Sequence, residues 1–167
     1  MTTATLTELD TKWVAEAVRR TTADLSMLID RKFEIQSVAS ECLDHRPAGM
    51  GSVHISFKIA VQRGLAITHG TILVPFKQAV TLAGWLQMMS DAEATRRAEL
   101  TTLDSAMKDG LLEIGNFVAG ACEASLRTVG VSDARVVSEG CQGVAADVRP
   151  ALKYEEGASL TIGRAQA

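Results

Sequence analysis

One segment carries side chains whose types and spacing could do chemistry: Asp109-Gly110-Leu111-Leu112-Glu113-Ile114-Gly115-Asn116-Phe117-Val118-Ala119-Gly120. Projected as a helix with Asp109 at zero, Glu113 falls at ~40°, Asn116 at ~−20° and Gly120 at ~20°. These four share a narrow stripe, while Leu111, Ile114, Val118 and Cys122 fall between about 140° and 220°. The apolar side must face a core, so the Asp-Glu-Asn-Gly stripe faces outward. A carboxylate such as Glu113 can grip a partner's lysine, and an amide such as Asn116 both donates and accepts, so it can orient a water. Gly115 and Gly120 each cost a helix interior about 1 kcal/mol relative to alanine. Close approach by another molecule is one reason to keep Gly120 on an exposed stripe.

Other reactive side chains assemble into nothing comparable. Cys42, Asp44 and His45 are ligand types, with His54 following, but two neighbouring ligands without a second pair do not make a zinc site. We therefore expect no metal site. His54 alternates with apolar residues and is expected to face solvent, and His69 beside Gly70 is expected in a turn. Gly49-Met50-Gly51 lacks the Gly-Lys-Ser/Thr ending of a phosphate loop and reads as a turn. Trp85, Met88 and Met89 sit at helical spacing and read as core or dimer contacts. Spacing alone assembles no Ser/His/Asp or Cys/His constellation.

The elements that must position the stripe are legible from periodicity. Trp13, Val14, Val18, Leu25, Leu28 and Ile29 recur at helical spacing across 10–30, without glycine or proline. A short strand is expected from Phe33 to Ser40, then a loop over 44–52. Val53, Ile55, Phe57 and Ile59 alternate with polar residues as in a half-buried strand. Residues 66–76 read as a strand bent near Gly70, whose pairing ends or runs along an edge at Pro75. A helix follows over 77–90, with a polar, alanine-rich helical spacer to 99. Thr101 to Asp104 offer caps for a long helix from Ser105 to about Val129, closed by Gly130. Strand signals return at 135–138, 143–149 and 158–163. The expected fold is α/β in layers, with a largely antiparallel sheet and long helices packed on one face.

At 167 residues, with 47% hydrophobic and 22% charged residues, the chain suits a single domain over 1–167 with a structured core over about 10–163. Net charge is −3, and no basic run supplies the footprint of a nucleic-acid binder. Arg19-Arg20 and Arg96-Arg97 are isolated pairs on helical faces. Cys42, Cys122 and Cys141 are odd in number and widely spaced, which argues for reduced thiols and a cytoplasmic protein. Met1-Thr2-Thr3-Ala4-Thr5 leads into acidic residues, not a signal peptide, and no apolar run approaches the ~18 residues of a membrane span.

The pattern D-x-x-x-E-x-x-N-x-x-x-G, filled by Asp109, Glu113, Asn116 and Gly120, resembles the helix motif of the CheC/CheX/FliY family of bacterial chemotaxis phosphatases. The strand–helix unit from Gly64 to Ser90 and the strand signals from Arg135 to Gly163 resemble the family's layout around that helix. The resemblance implies a CheC-like fold and hydrolysis of the aspartyl phosphate on a CheY-type response-regulator receiver. It implies that Glu113 pairs with the receiver's lysine and that Asn116 orients the attacking water. Asp109 and Gly120 then belong to the partner-binding surface. No cofactor is expected on this chain; Mg²⁺ is expected on the receiver. The first helix offers Glu16-Ala17-Val18-Arg19, with arginine where a second motif would need asparagine. A single motif resembles the CheX branch, whose members pair into homodimers by joining sheets. The proline common after the motif helix is missing around Asp133-Ala134-Arg135. The alternative is a response-regulator-binding module of the same fold without catalysis, or a domain akin to the switch-associated branch.

Overall fold

The computed structural model describes residues 7–47, 51–155 and 158–166. The opening Met1 to Thr5 and the Gly49-Met50 part of the expected turn lie outside the described residues; Gly51 has φ +71°. In chain order the elements are α1 (Glu8–Leu28), β1 (Ser37–Leu43), β2 (His54–Arg63), β3 (Ala66–Pro75), α2 (Phe76–Leu86), α3 (Asp91–Ala98), α4 (Ser105–Thr128), β4 (Ala134–Val144) and β5 (Leu160–Gln166). The fold is α+β, and every strand pairing among the described residues is antiparallel. The strands form two sheets, β3-β2-β4 and β1-β5, where the sequence suggested one.

Central strand β2 has one face for the main core. Ile55, Phe57 and Ile59 meet Leu111, Ile114, Val118 and Cys122 of α4 in one buried cluster. Directly paired strand residues share a face, so Ile72 and Val74 of β3 and Val136 and Cys141 of β4 join that layer. Phe57 is wholly buried and anchors it. Helix α1 lies beside α4, where Trp13 Nε1 donates to Ser125 Oγ at 3.0 Å and to the Cys122 carbonyl at 3.3 Å. Gly163 of β5 passes so close to α1 that a Cβ there would coincide with the Val14 side chain.

The ends of α4 follow the sequence signals. The Asp104 carboxylate accepts the Met107 N–H at 2.9 Å as the N-cap. Gly130, at φ +94°, lets Val131 N–H reach back to the Leu126 carbonyl, which closes the C-terminus.

Several local expectations are corrected. The first strand begins at Ser37, not Phe33, because Phe33 is drawn to the Trp85 ring at 6.3 Å between centroids. No bend occurs at Gly70: β3 runs in register from Ala66 to Pro75. Gly70 lies across from Ile59, where an added Cβ would stand 3.4 Å from its side chain. His69 is therefore a strand residue, and its Nδ1 meets Glu139 at 2.8 Å. His54 is buried, not solvent-facing, with Nδ1 on the Ser52 carbonyl at 2.8 Å. Strand β2 is covered on both faces, so alternation does not separate inside from outside there. The signals at 135–138 and 143–149 resolve into one strand, β4, which ends at Val144. It carries an extra residue opposite the Phe57–Ile59 step, with Gly140 at φ +87°. Helix α2 stops at Leu86, and Met88 is fully exposed at φ +59°, so it is not core.

Candidate functional site

Asp109, Glu113, Asn116 and Gly120 all lie on α4, and all four are exposed. Met107, Leu111, Ile114, Val118 and Cys122 on the opposite side are almost wholly buried. That burial fixes the helix's rotation and so aims the stripe at solvent. The stripe extends for about 16 Å along the axis, and the Cβ atoms of Glu113 and Asn116 are about 5–6 Å apart, as expected for an i, i+3 pair.

The three polar side chains have no intramolecular hydrogen bond or ion pair among the described residues, unlike Glu123 one turn beyond Gly120. Glu123 is engaged by Arg127 and accepts the Val136 N–H at 3.0 Å, tying α4 to β4. Charged residues further along the same helix thus serve the fold, while Asp109, Glu113 and Asn116 serve no visible internal contact.

The glycines of α4 divide on the same line. A Cβ on Gly110 would stand 3.1 Å from that of Ala83 on α2, and one on Gly115 3.1 Å from Ser138 Oγ on β4. Both are required by packing within the chain. A Cβ on Gly120 would meet nothing within 4 Å. Nothing among the described residues needs that glycine.

Leu112, which the sequence reading did not single out, is 47% exposed. It projects to about −60° on the same wheel, at the edge of the stripe. Its Cδ2 lies 3.9 Å from where a Cβ on Gly140 would stand, in the irregular part of β4. The periodicity contained this signal, since Leu112 falls outside the apolar sector. The site is an open ridge with an apolar flank, suited to a macromolecular partner. Behind it, burial pushes the Cys122 thiol up to about 12, so this cysteine is packing, not a nucleophile.

No family model matches the sequence, and no curated protein matches it. Solved structures do match. FliY of Thermotoga maritima superposes with a TM-score of 0.65 at 15% identity, over 98% of this chain and 86% of that one. The chemotaxis protein CheX of Vibrio vulnificus gives 0.61 at 14% identity, over 93% and 91%. The FliM middle domain of H. pylori gives 0.57 at 10% identity, over 96% and 87%. The chain has the CheC-like fold of these structures.

Proposed function

We propose that this chain, which shares the fold of CheX and FliY, is a phosphatase for the aspartyl phosphate of a CheY-type receiver domain. The observation that carries the proposal is the exposed Asp109-Glu113-Asn116-Gly120 stripe, whose polar groups have no partner and whose glycine meets no neighbour among the described residues.

The chemistry asks little of the protein. Water attacks phosphorus, the bond to the acyl oxygen breaks, and inorganic phosphate and the free aspartate remain. An aspartate carboxylate, with an ordinary pKa near ~3.9, leaves without needing a proton. What is lacking in water is a nucleophile held in line. Asn116 supplies this by accepting a hydrogen bond from the water through its amide oxygen, which turns the water's lone pair toward phosphorus. Glu113, about one helical turn away, pairs with the receiver's lysine and sets the docking register. Asp109 and Leu112 extend that contact, and Gly120 lets the receiver backbone close against the helix. Mg²⁺ belongs to the receiver and is not held by these residues. A hundredfold acceleration needs about 2.7 kcal/mol, within reach of one positioned water.

The protein acts in the cytoplasm, where receivers are phosphorylated; no helix among the described residues is long and apolar enough to cross a membrane. It works as a homodimer joined through strand edges, as a single-motif chain does if it resembles CheX. The FliG–FliM complex of H. pylori, whose fold this chain also matches, favours a second reading in which the chain docks a partner without catalysis, here a receiver bound by the same ridge without hydrolysis. A panel of receivers, each phosphorylated in vitro, separates the two. A phosphatase shortens the phosphoryl lifetime of at least one receiver, whereas a docking module binds with the lifetime unchanged.

A further inference from the structure

The sheet face turned away from α4 carries a second feature. There Lys58 of β2, His69 of β3 and Glu139 of β4 line an open cavity of about 390 Å³, bordered by Arg46 and by residues 151–153, Lys153 among them. Of its charged groups, Glu139 is already engaged, with a carboxylate oxygen 2.8 Å from His69 Nδ1. Arg46, Lys58 and Lys153 have no carboxylate partner among the described residues. Counting only its lysine, arginine and carboxylate groups, the wall carries three positive charges against one negative, an excess of two.

That excess is unusual for this molecule. The chain is acidic overall, at −3. Elsewhere its basic side chains either form ion pairs, as Arg63 does with Asp133, or stand exposed, as Arg19, Lys32, Lys108, Arg135 and Arg149 do. Arg46 and Lys58 are instead half-buried and unpaired. Arg46 is also held in place: its guanidinium lies 5.5 Å from the Tyr154 ring centroid and its Nη1 donates to the Pro150 carbonyl at 2.9 Å. Its Nε is buried and has no hydrogen-bond partner among the described residues. A guanidinium oriented by these two contacts can meet an anion in the cavity with its remaining Nη N–H groups.

We propose that this cavity binds a small phosphomonoester, with its phosphate between Arg46, Lys58 and Lys153 and its organic part toward Leu152. A phosphate monoester carries about −1.5 to −2 at neutral pH, which matches the excess charge of the wall. The volume lies near the lower end of the 300–1,000 Å³ usual for small-molecule sites, roomier than a bare inorganic ion requires. The cavity opens on the side of the sheet opposite α4, so its occupant would not compete for the Glu113–Asn116 ridge.

The test is calorimetric titration of the full chain with adenosine monophosphate, glycerol phosphate, inorganic phosphate and succinate. At least one phosphomonoester is expected to bind saturably and more tightly than inorganic phosphate or succinate. Lys58→Met and Lys153→Met should each weaken it by about tenfold or more, as loss of a charge-assisted contact does. Lys153 is exposed and unpaired among the described residues, so its variant folds normally and keeps the test valid if Lys58→Met is unstable. Absence of phosphomonoester binding at millimolar concentration, undiminished binding in the Lys153→Met variant, or succinate binding as tightly would each overturn the proposal.

Discussion

Replacing Gly120 with alanine should make the protein more stable and less active, and the two effects can be sized from the structure. Gly120 lies well inside α4, which runs from Ser105 to Thr128. An alanine there gains about 0.5–1 kcal/mol, mostly by restricting the unfolded chain. No steric term offsets this, because the new Cβ meets nothing within 4 Å. For a chain of this length the gain raises Tm by about 1–4 °C. Against a receiver that closes on the helix backbone, the added methyl forces a displacement on the order of 1 Å, which lowers stimulated dephosphorylation by about tenfold to a hundredfold. The assay pairs thermal unfolding with decay of the phosphorylated receiver. Gly110→Ala provides the contrast: its Cβ would press on Ala83 Cβ at 3.1 Å and the Ala83 carbonyl at 3.2 Å, so that variant loses stability. A Gly120→Ala protein that is stabilised and fully active would refute the idea that a partner approaches this point.

Other expectations follow from packing and burial. Gly163→Ala inserts a methyl into space held by Val14 and should cost about 1–3 kcal/mol, read as a fall in the denaturant midpoint; an unchanged midpoint would mean that β5 is not pressed against α1. Burial raises the Cys122 thiol from about 9 to about 12, so the unfolded chain releases its proton first as pH rises. This group's contribution to stability is full below pH 9 and is lost at up to about 1.4 kcal/mol per pH unit from there towards pH 12, so Cys122→Ala should make the alkaline fall in stability shallower. Light scattering at micromolar concentration should give the dimer mass, and a monomer mass alone would remove the sheet-joined dimer.

Where a single periodicity dominates, the sequence was a sufficient guide. Helix α4 shows its apolar stripe, its Asp104 cap and its Gly130 stop in the linear text, and all three reappear in place. The outward stripe followed from the same projection. Strand β2 was harder to read, since His54 and Ser56 alternate with apolar residues yet are buried too. Alternation reports polarity, and burial on the second face depends on segments distant in sequence, as Arg46 and residues 151–153 beside Lys58 show. The extra residue in β4 likewise has no local signature beyond Gly140, so one strand looked like two. The basic cavity was illegible for a related reason: Arg46, Lys58, His69 and Lys153 come from four separated segments. Only folding brings them together.

The central claim is most directly tested by the lifetime of a phosphorylated CheY-type receiver, measured alone, with this protein, and with its Asn116→Ala and Glu113→Ala variants. Both side chains are exposed and without internal partners among the described residues, so both variants should keep the parent's stability within about 0.5 kcal/mol. The parent protein should speed the decay. Asn116→Ala should abolish the acceleration while still binding the receiver, and Glu113→Ala should lose binding and acceleration together. Acceleration that persists undiminished in the Asn116→Ala protein would contradict the claim.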